Sequence, residues 1–328
     1  MSHALIAGGL CAPLGVVARL PDPADSPPTL RVALPPLVLA CLAATWLIWG
    51  STYLAIRYAL LSFPPFVQMG SRFVVAGTLL LAWSRWRGAA QPNAREWLHA
   101  AVVGSLMLGG GMGFTAYAEQ TVSSGLTVAF VAIVPVLMAL LSMIWRVYPN
   151  RLEAAGIALG LAGVLLLTQG DGFQGTGAGR VMLALACLSW SLGSVLSQRV
   201  MPLAAGAAGF ASEILCGGLL LLLIAVPAGD YAGLAHFWPP QPLAVAAWLY
   251  LVVAGSLIAF NAYMVLLARA PIALASSYCY VNPVIALWLG IALAGERVSA
   301  GEWGATAVVL AGVILLLLGQ RRHRATRA

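Results

Sequence analysis

The sequence has no lysine and little charge of any kind. Charged residues make up 8% of its 328 positions, against roughly 25% in a soluble domain, while 61% are hydrophobic and the mean hydropathy is +0.93. Such a chain cannot cover a water-facing surface and belongs in a lipid bilayer. The seventeen basic residues are all arginine, scattered singly or in short groups. The net charge of +7 therefore reads as charges at helix ends, not a phosphate-binding face, and nucleic acid is not an expected partner. Paired thiols are also missing: Cys11, Cys41, Cys187, Cys216 and Cys279 are odd in number and form no CxxC, and four lie in apolar runs as buried thiols. The four histidines, His3, His99, His236 and His323, fall in loops or tails at no metal-ligand spacing, so neither a metal nor another cofactor is expected. There is no Walker A segment, no HExxH and no pair of aspartates within apolar segments, Asp171 and Asp230 both falling in loops. These absences remove ATP-driven pumping and intramembrane proteolysis; no catalytic residue is assigned and the chain is not read as an enzyme.

What is present is a series of ten apolar segments, at about 33–59, 65–84, 97–118, 122–144, 152–169, 180–198, 207–228, 243–267, 272–294 and 301–319. Each approaches the roughly 20 residues that span a bilayer as a tilted helix. Their apolar runs are unbroken, where a lipid-facing strand would alternate. Of the seventeen arginines, Arg72 sits inside a segment. If the N-terminus is cytoplasmic, Arg57, Arg180 and Arg297 fall on the outer side and the other thirteen on the inner, so both termini are expected inside. The apolar stretch near the start is too short to span, and the Pro- and Asp-rich run after it reads as a disordered tail over 1–32.

The segments repeat. Trp49-Gly50-Ser51 has a counterpart in Trp190-Ser191-Leu192, and 190 − 49 = 141. The same offset sets Arg72 against Glu213 and Gly77 against Gly218. Farther on, Gly104-Ser105-Leu106 returns as Gly255-Ser256-Leu257, Pro135-Val136 as Pro283-Val284, and Ala162-Gly163-Val164 as Ala311-Gly312-Val313. This order predicts two copies of one five-helix unit, over 33–170 and 180–319, joined by a linker at 171–179 and followed by a basic cytoplasmic tail at 320–328. Five is odd, so the second copy enters the membrane from the opposite face. The expected fold is an all-α polytopic membrane protein, ten transmembrane helices in two inverted five-helix repeats, an arrangement typical of secondary transporters. Gly109 and Gly113, and Gly156 and Gly160, are small-xxx-small pairs that let helix backbones approach.

Trp49-Gly50-Ser51-Thr52-Tyr53, Arg72-Phe73, the helices of Pro135 and Pro283, Gly295-Glu296-Arg297 and Ala311-Gly312-Val313 together resemble the drug/metabolite transporter superfamily, specifically its EamA-domain proteins. The likeness covers about residues 33 to 319. It implies a cell inner-membrane carrier of small metabolites, often an exporter of amino acids. One departure stands out: where such proteins repeat Gly-Glu-Arg after the fourth helix, this chain reads Ile144-Trp145-Arg146-Val147-Tyr148-Pro149. That weakens any mechanism needing the carboxylate in both halves.

A solute path through a bundle needs aromatic and polar side chains facing a cavity. Trp46, Trp49, Ser51, Thr52 and Tyr53 cluster in the first segment, with Trp190 and Ser191 at related places in the sixth. Aromatic faces can enclose apolar or cationic groups; the alternative is that these rings anchor the helices at the interface. Asn261 and Tyr263 in the eighth segment, and Tyr278, Tyr280 and Asn282 in the ninth, are candidates whose alternative is a helix-to-helix hydrogen bond. Pro135 and Pro283 each remove a backbone donor, freeing the carbonyls of Val131 and Cys279 and kinking both halves at matching places. Arg72 could hold a substrate carboxylate or bond backbone carbonyls, and Glu213 could carry a coupled proton or snorkel to the interface. Glu119, ending the third segment, reads as solvated. The partners expected are the bilayer and a small-molecule substrate, with proton coupling or uniport, and a monomer or an oligomer, left open. Efflux of amphipathic drugs is the second reading, and a non-transporting scaffold or sensor a third.

Overall fold

The computed structural model describes residues 35–146, 148–167, 176–236, 238–269 and 278–325, together with most of their side chains. The expected tail at 1–32, most of the 171–179 linker and the side chain of Tyr280 lie outside the described residues.

Among the described residues every regular element is a helix. In chain order these are α1 (Pro36–Ala59), α2 (Pro65–Trp86), α3 (Ala94–Ala118), α4 (Ser124–Val131), α5 (Val134–Ser142), α6 (Arg151–Leu167), α7 (Gly177–Arg199), α8 (Gly206–Ile224), the short α9 (Asp230–His236), α10 (residues 242–269), α11 (Tyr278–Ala294) and α12 (Ala300–Ala325). Among the described residues, seven stretches are long and apolar enough to cross a membrane: α1, α2, α3, Thr127–Trp145, α7, α8 and Pro242–Tyr263; Val281–Ala294 and Ala300–Leu315 are shorter apolar helices. Large side chains such as Leu39, Leu47, Leu79, Leu165, Leu223 and Trp288 are exposed on the outside, as hydrocarbon requires and water forbids.

Local chemistry sets the helix ends. Pro65, Pro135 and Pro242 occupy first-turn positions, where the missing N–H costs nothing. Pro135 thus opens α5 just past the break that separates it from α4, whereas Pro283 lies inside α11. Asn93 and Glu96 form a reciprocal capping box on α3 (3.0 and 2.8 Å). The same device occurs twice more, 149 positions apart: Asn150 with Glu153 on α6, and Ser299 with Glu302 on α12. Left-handed residues recur in the same way. Gly88 (φ 72) and Gly229 (φ 77) lie 141 apart, and Arg146 (φ 57) and Gly295 (φ 63) lie 149 apart. Arg146 therefore occupies a turn that the related position fills with glycine, at a steric cost glycine avoids.

Two features could not be anticipated from the segments alone. At Ser105–Met112 in α3 and Leu251–Ile258 in α10 the helix widens to π geometry, in each case at the repeated Gly-Ser-Leu.

The close glycine contacts between repeat-related helices are reciprocal. In the α6–α12 pair, a Cβ on Gly163 would come 2.7 Å from the Val309 nitrogen, and one on Gly312 would come 2.5 Å from the Gly160 nitrogen. Here 312 − 163 and 309 − 160 both equal 149. In α2–α8, Gly77 lies against the Leu215 nitrogen and Ala211 carbonyl (3.0 and 3.1 Å), and Gly218 against the Val74 nitrogen and Gly70 carbonyl (2.8 and 3.0 Å). All three of these pairings are offset by 141. Gly104 against Glu213 and Gly255 against Arg72 complete the set.

Candidate functional site

The site is built around Gly255, in the π-helical stretch of α10. A π turn leaves carbonyls without their usual i+4 donor. The Gly255 carbonyl is taken instead by the indole N–H of Trp49 from α1, at 3.3 Å. On its other side the Arg72 guanidinium approaches so closely that a Cβ on Gly255 would sit 3.0 Å from Nη2 and 3.2 Å from Cγ2 of Thr52. Arg72 is 4% exposed. Its Nε–H donates to Ser256 Oγ at 3.0 Å, Nη1 reaches Met69 Sδ at 3.7 Å, and its guanidinium carbon lies 4.9 Å from the Phe73 ring centroid. Of the two alternatives for Arg72, the bond to backbone carbonyls is not among its contacts, which are a hydroxyl, a thioether and a ring. No carboxylate is among these partners.

Three rings gather beside this point. Trp49 meets Tyr278 edge-on at 4.8 Å and Tyr263 at a tilt at 5.2 Å, and the two tyrosines meet edge-on at 5.7 Å. Edge-to-face geometry is the preferred arrangement of aromatic quadrupoles. Gly50 brings α1 close to the backbone of Asn282 (3.6 Å from a Cβ to its carbonyl), and Asn282 is buried with no hydrogen-bond partner for Oδ1 among the described residues. Three elements, α1, α10 and α11, therefore bring together Trp49, Tyr263, Tyr278 and Asn282, with Arg72 of α2 and Thr52 across Gly255.

Other candidates sit elsewhere. Ser51, about 200° round the helix from Trp49, bonds the Tyr250 hydroxyl at 2.6 Å on the wall of a groove of about 260 Å³ between α1 and α10. The Thr52 hydroxyl turns back to the Trp49 carbonyl (2.6 Å) and Asn261 Nδ2 to the Leu257 carbonyl (2.6 Å). Trp46 packs with Val38, Cys41, Leu42 and Leu266, sharing that cluster with Tyr263. Tyr53 is half-buried on α1. Trp190 lies against Gly111 of the other π stretch, and buried Ser191 bonds the Cys187 carbonyl at 2.7 Å. Its neighbour Ser189 donates to the Leu106 carbonyl at 2.7 Å, as Trp49 does to Gly255.

Two acidic residues are buried, one against the reading of the sequence and one in keeping with the first of its two alternatives. Glu213 does not snorkel but is buried (6% exposed) in α8, its backbone against Gly104. Glu119 is not solvated but 3% exposed. Tertiary neighbours far away in sequence bury both. The roles of Tyr250, Gly255 and Ser256 were missed altogether. The one signal of them in the sequence is the repeated Gly-Ser-Leu, which marks the duplication and not a site.

The comparisons with known proteins agree with this architecture. The model described as "EamA-like transporter family" matches twice, at residues 34–169 and 177–318. The uncharacterized inner membrane transporter YedA of Escherichia coli K12 is 39% identical over 86% of this chain and 91% of its own. A probable terminal-alkyne amino-acid exporter of Streptantibioticus cattleyicolor is 27% identical over 87% of this chain and 96% of its own. A solved crystal structure superposes with a TM-score of 0.58 at 22% identity, covering 87% of this chain and 98% of its own, a likeness of fold alone. With both matched regions together spanning most of the sequence, the chain belongs to the EamA-like transporter family.

Proposed function

We propose that this protein is a secondary transporter that exports small metabolites, amino acids being the leading class, by alternating access between two inverted five-helix halves. The reciprocal glycine contacts support the inversion, because a twofold axis in the membrane plane pairs each residue of one half with the repeat-mate of its partner. With ten spans and the arginine bias, both termini are cytoplasmic. One such pair completes a pathway, so a monomer suffices.

The observation that carries the reading is Arg72, a buried cation with no carboxylate among its partners, set across Gly255 from Trp49 and the two tyrosines packed on it. The helices of these rings also bring in buried Asn282, whose amide oxygen has no partner among the described residues. A buried charge is stabilised by an opposite one. A solute carboxylate fits the guanidinium, while an ammonium group fits the ring faces and Asn282 Oδ1. That is the charge pattern of an amino acid. The relative described as an amino-acid exporter agrees with this class.

Flux of radiolabelled amino acids into proteoliposomes tests the proposal. The unmutated chain is expected to carry them, and Trp49→Ala to lower the rate at least about tenfold, the scale of one lost binding contact. Absence of amino-acid flux, with drug resistance on overexpression, would establish the second reading, efflux of amphipathic drugs, which eleven tryptophans favour.

A further inference from the structure

One end of the bundle, where α1 and α3 finish and α4 begins, holds two buried carboxylates in opposite circumstances. Glu296, 8% exposed, is fully engaged: Oε1 accepts from Arg57 Nη1, the Ser124 N–H (3.0 Å) and the Ser124 hydroxyl (2.8 Å), and Oε2 from the Gly125 N–H (3.2 Å). It therefore fastens the stretch after α11 to the end of α1 and to the first turn of α4. Glu119, 3% exposed, follows the last residue of the α3 span, and neither of its carboxylate oxygens has a hydrogen-bond partner among the described residues. Two charged groups act on it, Glu296 by repulsion and Arg57 by attraction. Burial above all, reinforced by Glu296 and opposed by Arg57, holds its carboxyl well above the usual carboxylate range.

We propose that Glu119 is a proton-binding site that governs this mouth. With the proton in place, Arg57 stays on Glu296 and the mouth is shut. When water enters an opening mouth, the Glu119 O–H bond breaks and its proton passes to that water. The new carboxylate then competes for Arg57 and repels Glu296, so two buried anions share one cation and the buried seat of Glu296 on the α4 N-terminus is destabilised. Closing thus takes up one proton. The shut form is favoured below the raised value and is lost as pH rises through it.

The pair is not repeated at the related positions: Gln198 stands 141 positions after Arg57, and Val147 stands 149 before Glu296. The proposal rests on the transport reading only in that a mouth opens, and its test requires no solute.

Amide hydrogen–deuterium exchange of the peptide at 124–131, in the full chain and corrected for intrinsic chemical rates, reads the tie directly. Protection is expected to fall by up to about tenfold per pH unit through the titration of Glu119, and to be independent of pH in Glu119→Gln, which mimics the protonated acid. A flat profile in the unmutated chain overturns the proposal, whether or not the variant folds. So does an unchanged slope in Glu119→Gln.

Discussion

Asp230 shows how far a single side chain can act in this fold. Its Oδ2 accepts the N–H groups of Phe66 and Val67 at 2.8 and 3.1 Å, capping α2 from 164 positions away. The residue preceding α2 is Pro64, which has no side-chain acceptor, so Asp230 supplies the cap that the local sequence lacks. Burial raises its carboxyl above the ordinary value although both N–H bonds oppose the rise. Asp230→Ala leaves two buried donors unpaired and is expected to cost about 1–2 kcal/mol, read as a lower melting temperature of the detergent-solubilised protein. An unchanged melting temperature would show that water replaces the cap. Arg72 follows the same logic with the opposite sign. Its hydrogen bonds orient it without neutralising it, which is what the proposed role in solute binding requires.

At the scale of elements, the helix pairs are set by glycine. The α6–α12 seam has no room for a Cβ at Gly312, which faces the Gly160 nitrogen and the Gly156 carbonyl, whereas Gly304 on the same helix has nothing within 4 Å. Gly312→Ala must push two backbones apart, at a cost of about 1–3 kcal/mol. Gly304→Ala should instead stabilise by up to about 1 kcal/mol, through helix propensity. Paired thermal melts check the sign difference; equal effects at both positions would remove the close approach from the account.

This seam was partly legible, because Gly156 and Gly160 carry small-xxx-small spacing and Ala-Gly-Val recurs 149 positions later. The π turns were not: one extra residue per turn leaves no mark in composition or periodicity. Nor could the sequence separate Ser51 from Trp49, since its reading grouped neighbours along the chain while the helix turns them to different faces. In the sequence Glu119 looks solvated because the groups that surround it come from elsewhere in the chain, Glu296 among them. The membrane class and the EamA kinship needed only hydropathy and the order of short motifs.

For the molecule as a whole, the account depends on the second half entering the bilayer upside-down relative to the first. Ala90, in the loop after α2, and Tyr231, at the start of α9, are related by the 141-residue offset, and both are exposed. A duplication threaded the same way up would put them on one face; an inverted one separates them. The most direct measurement is labelling of Ala90→Cys and Tyr231→Cys, each in a chain whose own cysteines are replaced by alanine, with a membrane-impermeant thiol reagent applied to intact cells and then to permeabilised ones. The account predicts that Tyr231→Cys is labelled from outside and Ala90→Cys only after permeabilisation. Labelling of both from the same side would contradict it.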